Sequence, residues 1–313
     1  NNLADRGGAG RRGGAAAPFV LCALMRSLVQ PQSSTAPPLP SICYSVLWSD
    51  KTTHWDLMHA IYRWADAGQE AFFQSAGEPG RQLRDLYLKR AVMRSVTVHM
   101  VRGGDSSTLA DTVRVRSWVS KVGRTSWQSA TEILSHGAGP APGELVARAV
   151  TTMVAMDDEL EKTAAVPAAD ELRELVREAP DVLSTVVVKP PPRPDTDDGV
   201  YVWATTVRLT DCDSFGHVTN TKYPTMALEA RAICAKEEGY SATGNQLALL
   251  NPTGCHVDYI RQIRPLVPIN IITWYDAASQ AFIFQLETME GEQPVHAATV
   301  ILSVGTPAMH ARL

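Results

Sequence analysis

Two side chains in the second half of the chain are suited to nucleophilic and proton-transfer chemistry: Asp213 and, four positions later, His217. A carboxylate can attack an electrophilic carbon or activate a water molecule, and an imidazole with an ordinary pKa of about 6.5 can exchange protons near neutral pH. A loop with Asp, Ser, Gly and His before a helix is also common turn and cap chemistry. What the pair does therefore depends on the elements around it.

The elements around the pair occur twice in the chain. Residues 46–62 match residues 207–223 without a gap, and each copy combines a short β-prone run, a polar loop opened by Asp and the start of a helix. The helical patterns predict helices over 60–73 and 223–238, the second stopped by Gly239. The candidate pair thus lies between a strand and a helix in the second copy.

The start of the second helix would face the pair. A helix that begins near Asn220 or Thr221 presents unpaired backbone N–H groups and about half a positive charge, which can polarise a carbonyl oxygen. We expect Asn220 to cap this helix, and N–H groups near Gly216 and the helix start to stabilise an oxyanion. For Asp211, at the end of the β-prone run, we expect only the closing of a turn.

Each helix is followed by segments in which apolar residues alternate with polar ones, as in strands with one buried face. One helix and several long antiparallel strands, twice, indicate an α+β fold in which a sheet wraps around a central helix. The predicted strands lie around 113–118, 127–134 and 145–156 in the first half, and at 269–275, 281–287 and 295–304 in the second.

Composition along the chain predicts five regions. The segment 157–180 is acidic and amphipathic and predicts a helix, and the prolines of 189–194 indicate a stiff spacer. The regions are an N-terminal extension over 1–40, a first domain over 41–156, an acidic helix and proline-rich linker over 157–199, a second domain over 200–305, and a C-terminal tail over 306–313.

The overall composition excludes several classes of protein. A net charge of -4 and a pI near 6.1 provide no basic field for a nucleic-acid backbone. The five cysteines are an odd number without CxxC spacing, so neither a disulfide framework nor a zinc site is expected. The apolar run 19–25 is too short to span a bilayer, which takes about 20 residues, so no transmembrane helix is expected.

The first forty residues are rich in Ala, Gly, Ser, Pro and Arg and contain one acid, Asp5. This composition resembles an organelle transit segment and predicts a mitochondrial address on the matrix side, with a plastid as the alternative. A solvated tail has the same composition. Such a tail cannot order itself by burying apolar surface, so we expect a partner protein to hold it if it is ordered.

A longer stretch around the pair resembles a known family. The matching residues are Asp211, Asp213, Gly216-His217-Val218, Asn220 and Tyr223. Their order and spacing resemble the Asp-x-Asp, Gly-His-Val-x-Asn and Tyr signature of hotdog thioesterases of the 4-hydroxybenzoyl-CoA and plant acyl-carrier-protein (acyl-ACP) types. The plant type has two hotdogs in one chain, and residues 110–123 are similar to its first-domain strand pair. The resemblance covers roughly residues 41–304.

The resemblance implies tandem hotdog folds that form a pseudo-dimer and hydrolyse an acyl thioester of coenzyme A or ACP, without a metal or redox cofactor. It assigns to Asp213 the role of nucleophile or water-activating base, and it places His217 as a general acid/base or orienting group. Substrate contacts are expected from residues around the pair and in the segment that follows the helix: Phe215, Asn220, Tyr223, Arg261 and Gln262.

The chain departs from the plant pattern at two positions. Phe215 stands where the plant enzymes have Asn, and alignment places Gln262 in the strand position where they carry a Glu. Gln cannot relay a proton, and loss of an acid/base group costs about 10²–10⁴ in rate. Glu229 in the helix is an alternative catalytic carboxylate, or a solvated residue paired with Lys222, Arg231 or Lys236. Arg261 and Arg264 could meet carrier phosphates or be ordinary surface charges.

The first half lacks the candidate pair, because Thr52 and Asp56 occupy the equivalent positions. At most one of two pseudo-symmetric sites can therefore work. Three hypotheses remain: an acyl-CoA or acyl-ACP thioesterase, a hotdog protein without turnover that is a structural accessory subunit of a mitochondrial complex, and a module that binds acyl thioesters.

Overall fold

The computed structural model describes residues 41–45, 54–101, 111–136, 143–178, 186–195, 198–213 and 215–304. The extension over 1–40, the tail over 306–313 and the β-prone run 46–50 lie outside the described residues. Thr52 and the side chain of Asp56 lie outside them as well. The predictions made for these segments therefore remain predictions.

The described strands form one ten-stranded antiparallel sheet with the order β1-β3-β4-β5-β2-β7-β10-β9-β8-β6. The first five strands are Ser41–Ser45, Ala91–Met100, Thr112–Val122, Ser126–His136 and Leu145–Ala155. The other five, β6 to β10, are Val200–Thr206, Gly254–Tyr259, Pro268–Asp276, Ala281–Glu290 and Gln293–Ser303. One half of the sheet thus comes from each half of the chain.

One long helix packs on each half of the sheet. Helix α1 (His54–Ser75) buries an apolar stripe at helical spacing, with Leu57, Ile61, Ala65 and Phe72 on it. Its second-half counterpart, α4 (Lys222–Lys236), buries Tyr223, Met226, Ala227, Ala230 and Cys234. The remaining helices are α2 (Gly77–Arg90), α3 (Ala169–Glu174) and α5 (Ala242–Leu247). The fold is the predicted α+β arrangement of two wrapped helices.

Helix α1 approaches strand β3 closely at Gly68. A Cβ atom at this position would lie 2.3 Å from Oγ of Ser117 and 2.7 Å from Cγ1 of Val115. No real side chain has such contacts, so the helix can lie this close to the sheet because residue 68 is a glycine.

The two halves meet at the strand pair β2–β7 in the middle of the sheet. Residues on one face of these strands belong to a single core that also contains α1 and α4: Val96, Val98, Cys255 and Val257. From α1, the hydroxyl of Tyr62 reaches within 3.8 Å of Sγ of Cys255. The halves therefore share a core as well as a sheet.

The segment 157–180 is mostly not helical, contrary to the prediction. Among its described residues only α3 (Ala169–Glu174) is an α-helix. The carboxylate of Asp157 accepts the amides of Glu161 and Lys162 and closes a turn, and Ala168 has a left-handed backbone with φ 47°. Side-chain capping of a turn thus competes successfully with the helical pattern.

A further difference concerns the β-prone run before the candidate loop. The β-prone run 207–211 follows strand β6 (Val200–Thr206), and Leu209–Asp211 is a short 3₁₀ turn. The carboxylate of Asp211 accepts the amide of Arg208 at 3.0 Å, which closes this turn as predicted for Asp211. Elements α2 and β2 have no counterpart in the sequence prediction.

Candidate active site

The loop that carries Asp213 and His217 is a narrow hairpin-like turn. The amide of Asp213 donates to the carbonyl of His217 at 2.9 Å, and the amide of Thr219 donates to the carbonyl of Asp211 at 2.9 Å. The amide of Gly216 closes the tip on the carbonyl of Asp213 at 3.1 Å, and Gly216 has φ 78°, a conformation that favours glycine. Residues 213 and 217 therefore face each other directly.

The side chains of the pair are in contact. Oδ2 of Asp213 lies 3.3 Å from Nδ1 of His217, and the two side chains are 29% and 25% exposed. Oδ1 of Asp213 accepts the amide of Phe215 at 2.9 Å, so one carboxylate oxygen holds the turn and the other faces the imidazole. The pair is not sealed inside the turn, and the imidazole lies close enough to the carboxyl group to orient it.

Phe215 lies at the tip of the same loop. Its ring stacks on the ring of His217 with centroids 6.0 Å apart and an angle of 15° between planes, yet the residue is 72% exposed. An exposed aromatic side chain beside the pair offers an apolar contact to an incoming ligand.

The helix start differs from the prediction. Helix α4 begins at Lys222 after Thr221, which makes no side-chain cap, and Asn220 is exposed and does not cap the helix. The amide of Gly216 is occupied in the turn, so it is not a free oxyanion donor in this conformation. Among the first three residues of α4, the amide of Lys222 donates to the carbonyl of Thr219, and Pro224 has no N–H. The amide of Tyr223 is therefore the one of these three that remains as a donor for an oxyanion.

Two tyrosines fix the helix start. The hydroxyl of Tyr259, on β7, donates to the carbonyl of Asn220 at 3.0 Å. The rings of Tyr223 and Tyr259 meet edge to face with centroids 5.0 Å apart. Burial raises the pKa of Tyr223, so it stays a neutral phenol. Tyr223 is thus placed at the helix start, whereas the contact of Tyr259 with this loop could not be read from the local sequence.

Asp211 and Cys212, next to the pair, have structural surroundings. Lys222 lies 3.4 Å from Oδ1 of Asp211. Burial, followed by the charges of Asp211 and Asp213, raises the pKa of the Cys212 thiol, which disfavours the thiolate.

Three other predicted site residues make no hydrogen bond or ion pair with Asp213 or His217 in the described part of the chain. Arg261 pairs with Glu290 at 2.6 Å on the surface. Gln262 is exposed in the loop after β7, which ends at Tyr259, so its predicted strand position is wrong. Glu229 is exposed on α4, and its expected ion pairs are absent among the described residues because Lys222 pairs with Asp211 and Arg231 is buried.

A second carboxylate–imidazole pair was not predicted. His256 and Asp258 lie on β7, facing away from the core residues Cys255 and Val257, with Nε2 of His256 3.4 Å from Oδ2 of Asp258. The hydrogen bond from His256 lowers the pKa of Asp258. Only the alternation of His and Asp on one strand face signals this pair in the sequence.

Two kinds of feature are absent from the described residues. They contain no group of three or more His, Cys, Asp or Glu residues that could hold a metal ion. Within the same ranges, no helix is long and apolar enough to cross a membrane.

Two wrapped helices on one continuous sheet, with an Asp–His loop before the second helix, define a double-hotdog protein. Two solved structures share this architecture over most of their length. The 12:0-ACP thioesterase from Umbellularia californica matches with a TM-score of 0.58 and 14% identity, covering 84% of this chain and 95% of that chain. An acyl-ACP thioesterase from Bacteroides thetaiotaomicron matches with a TM-score of 0.56 and 13% identity, covering 84% and 96%. No family model and no curated protein sequence matches the chain.

Proposed function

We propose that the protein hydrolyses an acyl thioester of coenzyme A or of ACP. The observation that carries this proposal is the contact between Oδ2 of Asp213 and Nδ1 of His217, in a partly exposed loop before the central helix of the second hotdog. The fold shared with two acyl-ACP thioesterases supports the substrate class.

In the proposed reaction Asp213 is the general base and His217 orients its carboxyl group. Oδ2 of Asp213 takes a proton from water, and the hydroxide adds to the thioester carbonyl carbon. The amide of Tyr223 is the donor available to the oxyanion. As the C–S bond breaks, the carboxyl of Asp213 passes this proton to the leaving thiolate. The transfer restores the carboxylate of Asp213, which Nδ1 of His217 faces at 3.3 Å, and releases a carboxylic acid and a thiol.

Substrate contacts are assigned to exposed residues near the loop. The ring of Phe215 offers apolar contact to the acyl group. Arg261 and Arg264, exposed in the segment after β7, are the cations proposed to meet the phosphates of the carrier.

The test is release of free thiol from acyl-CoA and acyl-ACP substrates by the purified full chain. Asp213→Asn keeps an oxygen that can accept the amide of Phe215 but cannot take a proton, so we expect turnover to fall by about 10²–10⁴. Asp211→Asn, in the same loop, is the matched control and should retain turnover. Equal activity of wild type and Asp213→Asn, or no turnover on any substrate, would rule out this reaction.

A second candidate function is a structural accessory subunit of a mitochondrial complex. It is favoured by two observations: an exposed Phe215 replaces the Asn of the plant enzymes, and Gln262 lies outside the strand where those enzymes carry a Glu. In this case the full-length chain should be imported into mitochondria and co-migrate with a large complex, without thiol release. Migration as a free protein in the matrix would exclude this role.

A further inference from the structure

Helix α4 carries a guanidinium group inside the second hotdog domain. Arg231 is only 6% exposed, and its Nη1 is fully buried without a hydrogen-bond partner. In the described part of the chain the guanidinium group of Arg231 forms no ion pair with a carboxylate within 4 Å. Burial lowers its pKa to about 10, so the group is still positively charged at neutral pH.

Among the described residues, the surroundings of Arg231 offer further donors and no negative charge. The guanidinium carbon lies 5.6 Å from the centroid of the Phe282 ring. Near it, the hydroxyls of Tyr240 and Thr273 are 2.8 Å apart and buried. Burial raises the pKa of Tyr240 well above its ordinary value, so this hydroxyl stays protonated.

A buried charge without a counter-charge is strongly unfavourable, and an orphaned buried polar group in a folded protein calls for a ligand, ion or water. The ring of Phe282 compensates only part of the lost hydration. A monoanion would neutralise the guanidinium and accept hydrogen bonds from it. A dianion would leave one negative charge buried and unpaired.

We propose that Arg231, Tyr240 and Thr273 form an internal binding site for a small carboxylate. The guanidinium fork matches the two oxygens of a carboxylate, and the hydroxyl pair supplies an additional donor. The site lies between α4 and the sheet and is separate from the Asp213–His217 pair, so it goes beyond the proposed hydrolysis. The carboxylate is either a free small anion or the far end of an acyl chain that carries a terminal carboxylate.

The test is the thermal unfolding of the full chain as acetate is added at constant ionic strength, with HEPES as the other anion. A ligand that binds only the folded state raises the Tm, and we expect a saturable rise of about 2–8 °C. Arg231→Met should lose this rise and be at least as stable as wild type without acetate, since an apolar side chain replaces an unpaired buried charge. Arg124→Met, which removes an exposed guanidinium in the first half of the chain, is the matched control and should keep the full rise.

An unchanged Tm of wild type, or an equal rise in Arg231→Met, would overturn the site. If Arg231→Met does not fold, Tyr240→Phe and Thr273→Val replace it, and each should weaken the apparent acetate affinity several-fold; unchanged affinity in both is contrary to the proposal. A comparison of adipoyl-CoA with hexanoyl-CoA identifies the source. If the rise in Tm is larger with adipoyl-CoA than with hexanoyl-CoA, and this difference is lost in Arg231→Met, the bound carboxylate is the terminal group of the acyl chain. If the two CoA esters raise the Tm equally while acetate alone also raises it, the bound carboxylate is a free anion.

Discussion

Oγ1 of Thr97 lies 2.8 Å from Nδ1 of His256, across the strand pair that joins the two halves of the sheet. The two residues are direct register partners on β2 and β7, and both are buried, at 3% and 5% exposure. Nε2 of the same imidazole faces Asp258. One histidine thus connects the first half of the chain to a carboxylate of the second half.

Thr97→Val should destabilise the protein by about 1–3 kcal/mol, because it keeps the shape of the side chain and leaves Nδ1 of His256 buried without a partner. The measurement is the free energy of unfolding in denaturant. Thr206→Val, at an exposed position on the edge strand β6, should change it by less than about 0.5 kcal/mol. Equal effects of the two substitutions would show that the hydrogen bond adds no stability.

The lowered pKa of the Asp258 carboxyl group predicts that the protein loses stability in acid. Its pKa is lowered in the folded state, mainly by the hydrogen bond from His256. The contribution of this carboxylate to the free energy of unfolding is therefore complete above the unfolded-state pKa of about 3.9. It is lost as the pH falls through the lower folded-state pKa. Unfolding free energies measured between about pH 6 and pH 2 should fall less steeply in Asp258→Asn than in wild type. Asp85→Asn, on the surface, should follow the wild-type curve.

The sequence predicts what is local and misses what depends on distant contacts. The helix of the second copy and the facing of Asp213 and His217 follow from residues within one stretch of chain, and the predicted strands are present. Burial of Arg231 and the bond from Thr97 to His256, 159 positions apart, depend on strand pairing and helix docking. The Asn220 cap was wrong because helix α4 begins one residue later than that cap requires, with Thr221 before Lys222, and the backbone carbonyl of Asn220 bonds Tyr259 from a distant strand.

Gly68→Ala should destabilise the first half by roughly 1–3 kcal/mol or more, since its Cβ would lie 2.3 Å from Oγ of Ser117. Thermal or denaturant unfolding measures this effect. Adding Ser117→Ala removes the nearest clashing atom and should restore part of the stability. A single variant as stable as wild type would mean that α1 does not approach β3 this closely.

Tyr259→Phe tests whether the helix start is positioned by the bond to Asn220. The substitution removes the hydroxyl that holds the Asn220 carbonyl and keeps the ring that packs on Tyr223. If the proposed hydrolysis depends on the amide of Tyr223, a looser helix start should lower kcat several-fold with little change in KM, because the amide contacts the charge that develops in the transition state. Stability should change by only about 1 kcal/mol. Tyr201→Phe removes an exposed hydroxyl that bonds Glu237 and should leave both kinetic constants unchanged. A rise in KM alone, or the same kinetics in both variants, would mean that Tyr259 does not position the helix start for the reaction.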